Sequence, residues 1–508
     1  MSEADNPRSL PGWQVLTLAP LAGVFITLSL APFSFWPASI LGCALLAYLL
    51  ASCTPRQAAW RGWLFGLGLF GSGASWVYVS INVYGNASVH LALFLTVVFC
   101  AGLALLHAFQ AWFYAKVIRP LPGGMLLGFA ALWVLGEWVR SWLFTGFPWL
   151  YVGYGHIDTW LSGWAPITGV FGLSFAVAFS ASCFFLAWRR PQTATLVSYG
   201  GLLATLWVGG LMLKPIEWVA PAAEQPLKVA LYQPNIPLER KWDRRYYLDI
   251  LAQFEISLRS LSERDLVLWP ESAIPRVYDR ARGFLDNISR RAELADTALI
   301  TGIPTRNDGR YYNSVIALGL GNGQYDKQRL VPFGEYVPLE EWLRGLIDFF
   351  DLPMSNFSRG AAGQGPLRAG NYRVAPLICY EVVYPSLTAA AAQNAELLIT
   401  ISNDTWFGRS IGPLQHLEMA RMRALENGRY MLRGTNNGVS AIINHRGQIV
   451  ARSAQFEEET LLGEAEVMLG HTPFTSFGSA PLLWALSLLV GSMALLYRTL
   501  WRDDELGN

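Results

Sequence analysis

Apolar residues fill long unbroken blocks through the first 215 positions, give way to short runs set between polar stretches, and return as one block near the C-terminus. A helix needs about 20 apolar residues to cross the hydrocarbon core of a bilayer. Blocks of that size lie at 13–31, 36–53, 62–82, 89–112, 123–143, 167–188, 193–213 and 475–497, which predicts eight transmembrane helices. The polar middle is patterned differently. Lys228-Val-Ala-Leu-Tyr-Gln233, Asp265-Leu-Val-Leu-Trp269, Ala298-Leu-Ile-Thr-Gly302, Val374-Ala-Pro-Leu-Ile-Cys379, Glu396-Leu-Leu-Ile-Thr-Ile401 and Val439-Ser-Ala-Ile-Ile443 are short, apolar and bounded by turn formers. Amphipathic stretches at 244–261, 281–295 and 412–427 lie between them, so the middle predicts a single α/β domain. The expected division is 1–215 with helices one to seven, 216–474 as the inserted domain, and 475–508 as helix eight with its tail.

Composition agrees with a membrane protein carrying a polar domain: 53% of the 508 residues are hydrophobic and 15% are charged. A net charge of +1 with no basic tract argues against a nucleic-acid partner, because phosphate binding needs clustered Lys and Arg. Arg8, Arg56, Arg61, Lys116, Arg119, Arg189, Arg190, Arg498 and Arg502 fall on one side if the N-terminus is cytoplasmic, which places 216–474 outside. The first dozen residues lack a signal-peptide pattern, so the first helix is expected to be retained. Glu137 and Arg140, one turn apart near a membrane helix end, are expected to pair with each other, against a role in binding a substrate head group.

Candidate chemistry gathers at the ends of the short runs. Cys379 is the lone cysteine of the polar domain; Cys43, Cys53, Cys100 and Cys183 lie in or beside apolar blocks. A free thiol titrates near about 8.5, so it needs a base and a positive charge to become an effective nucleophile near neutrality. Glu271 follows Leu268-Trp-Pro, and Lys327 opens Lys327-Gln-Arg-Leu-Val-Pro-Phe-Gly-Glu335, each at the end of such a run. No histidine lies in these motifs, so a Cys/His pair is not expected; Glu would take the thiol proton and Lys would stabilise charge on a tetrahedral intermediate. No zinc, nucleotide or serine-elbow motif occurs, and no cofactor or metal is expected.

With these residues in place, the stretch 226–470 resembles the nitrilase superfamily, which uses a Glu-Lys-Cys triad on an αββα sandwich. Trp269-Pro-Glu-Ser272, Tyr325-Asp-Lys-Gln-Arg-Leu-Val-Pro-Phe-Gly-Glu-Tyr-Val-Pro338, Ile378-Cys-Tyr-Glu381 and Ser402-Asn-Asp-Thr-Trp-Phe-Gly408, within a frame of membrane helices, resemble more narrowly the apolipoprotein N-acyltransferase family. The resemblance implies Glu271 as general base, Lys327 as oxyanion-stabilising cation and Cys379 as acyl-accepting nucleophile. It also implies supporting roles for Glu335, Tyr380, Glu381 and Trp242, the Tyr380 N–H being an expected oxyanion donor. The implied reaction moves an acyl chain from a membrane glycerophospholipid, through a Cys379 thioester, to the α-amino group of a diacylglyceryl-modified apolipoprotein. The implied setting is a monomer in the bacterial inner membrane, with the catalytic domain on the periplasmic side.

Two further readings concern lipid access. Residues 342–354, including Trp342, Phe349 and Phe350, are expected to form a mobile arm dipping into the interface, against a plain packing element. Trp406 is expected either to line the acyl pocket or to fill the core. Duller readings exist for the other residues: Glu271 as a helix cap, Lys327 as a hairpin charge, Glu381 as half of an ion pair, and Trp242 as core. A membrane-anchored amidase and a non-catalytic lipoprotein-binding protein are the rival functions.

Overall fold

The computed structural model describes residues 10–259, 263–332, 334–336 and 356–506. Trp342, Phe349, Phe350 and the whole 342–354 arm fall outside the described residues. The chain divides into two compact units, residues 1–78, 89–216 and 479–508 forming one and 79–88 with 217–478 forming the other. The main breaks fall near 216 and 478. The short segment 79–88 was not anticipated; it leaves the first unit and packs with the second.

In the first unit, five helices of the described residues are long and apolar enough to cross a membrane: Gly12–Ser29, Val89–Ile118, Trp160–Arg189, Thr193–Leu213 and Ala480–Leu500. A sixth results if Pro55–Gly73 and Val77–Tyr84 count as one broken span. Two expected blocks are shorter than the hydropathy implied. The block at 36–53 is the 14-residue helix Pro37–Leu50, and that at 123–143 divides into a π-helical turn, Gly124–Gly128, and the 12-residue Phe129–Arg140. The first is cut short by the start of the next helix, where Thr54 and Gln57 cap each other reciprocally and Pro55 occupies the first turn. Small residues let the helices approach closely. A Cβ on Gly66 would stand 2.7 Å from the Ala104 Cα in Val89–Phe113, so this crossing tolerates no side chain there. Glu137 and Arg140 are both buried but are not joined by a salt bridge. Glu137 accepts from the Trp133 indole at 3.0 Å and the Val152 N–H at 2.9 Å, while the Arg140 guanidinium lies over the rings of Phe70 and Tyr151.

The second unit is a sandwich of two sheets. One runs in the order Glu459–Ala465, Leu227–Gln233, Leu266–Leu268, Ala298–Asn307, Arg310–Gly319, Gln324–Asp326. The other runs Ile449–Arg452, Ala441–Ile443, Met431–Thr435, Leu397–Ser402, Tyr372–Ile378, Leu367–Ala369, Gly321–Asn322. Both have a parallel centre, made by the strands starting at 227, 266 and 298 and by those starting at 372, 397 and 431. Side chains alternate across each strand. Leu231, Leu268, Ile300 and Val315 point inward to meet Ile378, Ile399, Leu432 and Ile442 of the facing sheet. Their neighbours Ala230, Val267, Trp269 and Leu299 point outward against Phe254, Leu285 and Ile288. The helix Tyr278–Leu294 supplies Ala281, Leu285, Ile288 and Ala292, the three-to-four spacing of one buried helical face. Helices Pro385–Ala392 and Gly412–Asn427 follow the strands of the second sheet, giving the expected αββα order. The parallel strands end on one edge, and Glu271, Cys379 and Asn403 all stand just beyond those ends.

Candidate active site

The loop after Leu266–Leu268 brings Glu271 into the edge between the sheets. It can do so because Gly302 lies beneath it: a Cβ there would stand 2.5 Å from the Ser272 nitrogen and 2.8 Å from the Glu271 Cα. Ser272 adopts a positive φ of 47°, turning the chain sharply behind the carboxylate. Lys327 follows the strand Gln324–Asp326 and is fully enclosed. Its ammonium lies 2.9 Å from Glu335 and 3.5 Å from Glu271 Oε1. Asn313, on Arg310–Gly319, donates its one amide to both carboxyl groups, at 2.8 Å to Glu271 and 2.7 Å to Glu335. Main-chain donors complete the set, Asn403 N–H to Glu271 Oε2 and Val331 N–H to Glu335 Oε2, both at 2.8 Å. Burial works against the Lys327 charge, but Glu335, Glu271 and Cys379 outweigh it, and the ammonium holds its proton far above neutrality.

Cys379 ends the strand Tyr372–Ile378 with φ at 51°, a left-handed conformation that lifts a non-glycine side chain off the sheet edge. Burial raises the thiol pKa most, with Glu271 and Asp404 adding to it, while Lys327 and the Ser402 hydroxyl pull the other way. The net effect is a thiol well above its ordinary range, so at rest the sulfur carries its proton and attack must be coupled to proton removal. These long-range influences put Glu271, Lys327 and Cys379 in one electrostatic neighbourhood.

Glu381 forms no ion pair among the described residues. Its Oε1 accepts from the Tyr325 hydroxyl at 2.9 Å, the Gln328 N–H at 2.7 Å and the Arg329 N–H at 3.1 Å, and its Oε2 accepts from the Ile378 N–H at 2.8 Å. It therefore clamps the chain carrying Lys327 to the chain carrying Cys379. Burial pushes its pKa up to about 7 against the pull of those donors. Tyr380 is buried and packs edge-on against Tyr384. Trp242 is half-buried at the end of the short helix Leu238–Lys241. Trp406 is also half-buried; its ring meets Tyr84 at 5.8 Å and its carbonyl accepts from the Ser80 hydroxyl at 2.8 Å, so the segment 79–88 covers it.

Several residues at the site carry no signal in the sequence pattern. Asn313 sits in Tyr311-Tyr-Asn-Ser314, which belongs to none of the four motifs. Lys241, beside Trp242, is buried and donates to the Glu271 carbonyl oxygen at 2.9 Å. Burial lowers its pKa to about 8, with Glu271 opposing the shift. His416 is remote from every motif, yet its Nε2 lies 3.2 Å from the Cys379 carbonyl oxygen. That contact is to the main chain, not the sulfur, so it is no Cys/His pair of the papain kind.

Comparison with known proteins assigns both halves. Residues 22–183 match the model of the apolipoprotein N-acyltransferase N-terminal domain, and 228–471 match that of carbon-nitrogen hydrolases. The chain is 48% identical over 488 residues to the apolipoprotein N-acyltransferase of Pseudomonas putida, covering 95% of this chain and 96% of that protein. The chain belongs to the apolipoprotein N-acyltransferase family. The Vibrio parahaemolyticus member is 40% identical across 93% of this chain and 96% of its own length. Among solved structures, Saccharomyces cerevisiae Nit3 of the nitrilase superfamily covers 49% of this chain and 92% of its own, at 20% identity and a TM-score of 0.36. Family membership accounts for the union of a helical membrane half with a carbon-nitrogen hydrolase half in one chain.

Proposed function

We propose that this protein N-acylates lipoproteins at the outer face of the bacterial cytoplasmic membrane, drawing the acyl group from a glycerophospholipid and carrying it on Cys379. The observation that supports this most is the convergence of Glu271, Lys327, Glu335 and Cys379 on one sheet edge, in a chain that matches the family over nearly its full length.

In the first half-reaction the Cys379 sulfur attacks the ester carbonyl while Glu271 takes its proton. Charge develops on the carbonyl oxygen, where the Lys327 ammonium and the Tyr380 N–H are the donors. The tetrahedral intermediate collapses, Glu271 returns the proton to the leaving glycerol oxygen, and lysophospholipid departs from a Cys379 thioester. In the second half the α-amine of the lipoprotein's diacylglyceryl-cysteine attacks the thioester, Glu271 accepts the amine's proton, and amide formation releases the thiolate. Two bulky lipids thus use one site in turn, which predicts ping-pong kinetics. Glu335 and Asn313 hold the Lys327 ammonium and the Glu271 carboxyl in register, and Glu381 holds the two loops together. Trp242 supports the loops around the site, and Trp406, with Trp342, Phe349 and Phe350 of the 342–354 arm, forms the apolar approach for the acyl chains. No cofactor takes part, and the protein acts as a monomer. Residues 1–215 and 475–508 hold the 216–474 domain at the bilayer, where both substrates reside.

The test is incubation with a phospholipid labelled in one acyl chain. Label on the protein that neutral hydroxylamine removes, and that Cys379→Ala never acquires, is the expected result. Hydrolysis of small amides with no labelling from phospholipid would favour the amidase.

A further inference from the structure

Beside Cys379 lies a second buried cluster that the mechanism above does not use. The Ser402 hydroxyl oxygen is 3.3 Å from the Cys379 sulfur and 2.6 Å from Asp404 Oδ1. Asp404 Oδ2 accepts from Arg433 Nη2 at 2.6 Å. His416 Nδ1 lies 3.2 Å from Asp404 Oδ1 and 3.1 Å from Arg433 Nη2, and its Nε2 lies 3.2 Å from the Cys379 carbonyl oxygen. All four side chains are fully enclosed. With the His416 Nε2–H donated to the Cys379 carbonyl, Nδ1 accepts from Arg433, so two arms run from Asp404 to the nucleophile, one through Ser402 to the sulfur and one through Arg433 and His416 to the main-chain carbonyl.

The residue between Ser402 and Asp404 in the chain is also engaged. Asn403 gives its N–H to Glu271 Oε2 at 2.8 Å. Three successive residues thus touch the nucleophile, the base and the buried anchor. Cys379 holds a left-handed φ of 51° that a non-glycine residue keeps only when its surroundings impose it. A carbonyl pinned by His416 and a sulfur met by Ser402 are such surroundings.

We propose that Asp404 is a positioning residue for the nucleophile, acting through Ser402 on the Cys379 sulfur and through Arg433 and His416 on the Cys379 carbonyl. This rests on the reading of Cys379 as the acyl carrier. Once the thiol proton has passed to Glu271, the Ser402 hydroxyl, 3.3 Å from the sulfur, turns from Asp404 to meet the thiolate. Asp404, still paired with Arg433, keeps Ser402 in place for that exchange.

The experiment uses full-length protein in mixed micelles with two readouts: Cys379 alkylation by iodoacetamide across pH, and single-turnover acylation from phospholipid. In Ser402→Ala the thiolate loses a donor, so alkylation at pH 8 should fall about tenfold and its profile move to higher pH. Local unfolding would do the opposite, bringing the profile down toward that of a free thiol near about 8.5. Acylation in Ser402→Ala should fall about tenfold at unchanged KM for the lipid. His416→Gln still offers an N–H to the carbonyl and should keep acylation within about threefold, whereas His416→Leu should lose about tenfold. Ser402→Ala with wild-type alkylation and acylation, or equal losses in both His416 variants, would overturn the proposal. Wild-type protein that alkylates but never acylates would instead sink the acyl-transfer reading, since the alkylation arm needs no lipid.

Discussion

Two buried charge clusters adjoin Cys379, and they are balanced differently. Around Lys327, two carboxyl groups share one ammonium and one amide donor, Asn313. Around Asp404, one carboxylate meets Arg433, His416 and Ser402 at once. The first has more acceptors than cations, so a proton arriving at Glu271 relieves repulsion with Glu335 and has somewhere to go. In the second, one guanidinium matches the one carboxylate. Burial alone would raise the Asp404 pKa, but Arg433, His416 and Ser402 hold it well below the ordinary carboxylate range. One cluster is arranged to move a proton and the other to hold a position.

The strongest way to break this contrast is to remove the shared cation. Lys327→Met leaves Glu271 and Glu335 facing each other without it. Loss of one partner from a buried ion pair costs about 3–5 kcal/mol. Acyl-enzyme formation should vanish and the thermal midpoint in detergent fall together; a variant as stable as wild type would mean that the carboxyl groups do not depend on Lys327. Glu271→Gln is gentler, keeping the size of the side chain while abolishing its basicity. Its kcat should drop roughly 10²–10⁴-fold, the span of general-base catalysis, with little change in the midpoint. A smaller loss would move the proton-accepting role elsewhere.

Gly302→Ala probes geometry without touching charge. The added Cβ meets the Ser272 nitrogen, so the Glu271 loop must shift. A displacement of about 1 Å can cost 10²-fold in rate, and a loss of that order in kcat is expected. The mildest test concerns pH and the second cluster. A depressed carboxylate pKa stabilises the fold fully above the unfolded value, about 3.9, and that contribution is lost as pH falls through the folded value. The stability gap between wild type and Asp404→Asn should therefore be complete at pH 6 and narrow progressively below about pH 4. A gap independent of pH would show that Asp404 contributes by shape alone.

The same contrast explains what was legible in the sequence. Glu271 and Cys379 sit in compact motifs at the ends of apolar runs, because the parallel strands that precede them are short and fully buried, while Lys327 and Glu335 share one motif just after the antiparallel edge strand Gln324–Asp326. The strands from 227, 266, 298, 372 and 397 and the helices Tyr278–Leu294 and Gly412–Asn427 followed from periodicity for the same reason. Met431–Thr435 did not, because Arg433 interrupts its apolar pattern; that arginine is held in the core by Asp404, His416 and the Val439 carbonyl. Asn313 and His416 were invisible because each reaches the site from an element whose own pattern is ordinary. The hairpin Ala298–Asn307 with Arg310–Gly319 carried a usable signal in Asp308-Gly309, both at positive φ, the pairing that favours a tight two-residue turn. In the membrane half, hydropathy overestimated the length of the helices at 36–53 and 123–143, since apolar content does not register a capping box or a glycine-initiated π turn.

The most direct test of acyl transfer through Cys379 is the intact-protein mass spectrum after incubation with one dipalmitoyl phospholipid, followed by a diacylglyceryl-cysteine peptide. The account predicts one added palmitoyl group, absent from Cys379→Ala, that disappears at the rate at which N-palmitoyl peptide forms. An adduct that persists in Cys379→Ala, or N-acyl peptide formed without any adduct being consumed, would contradict it.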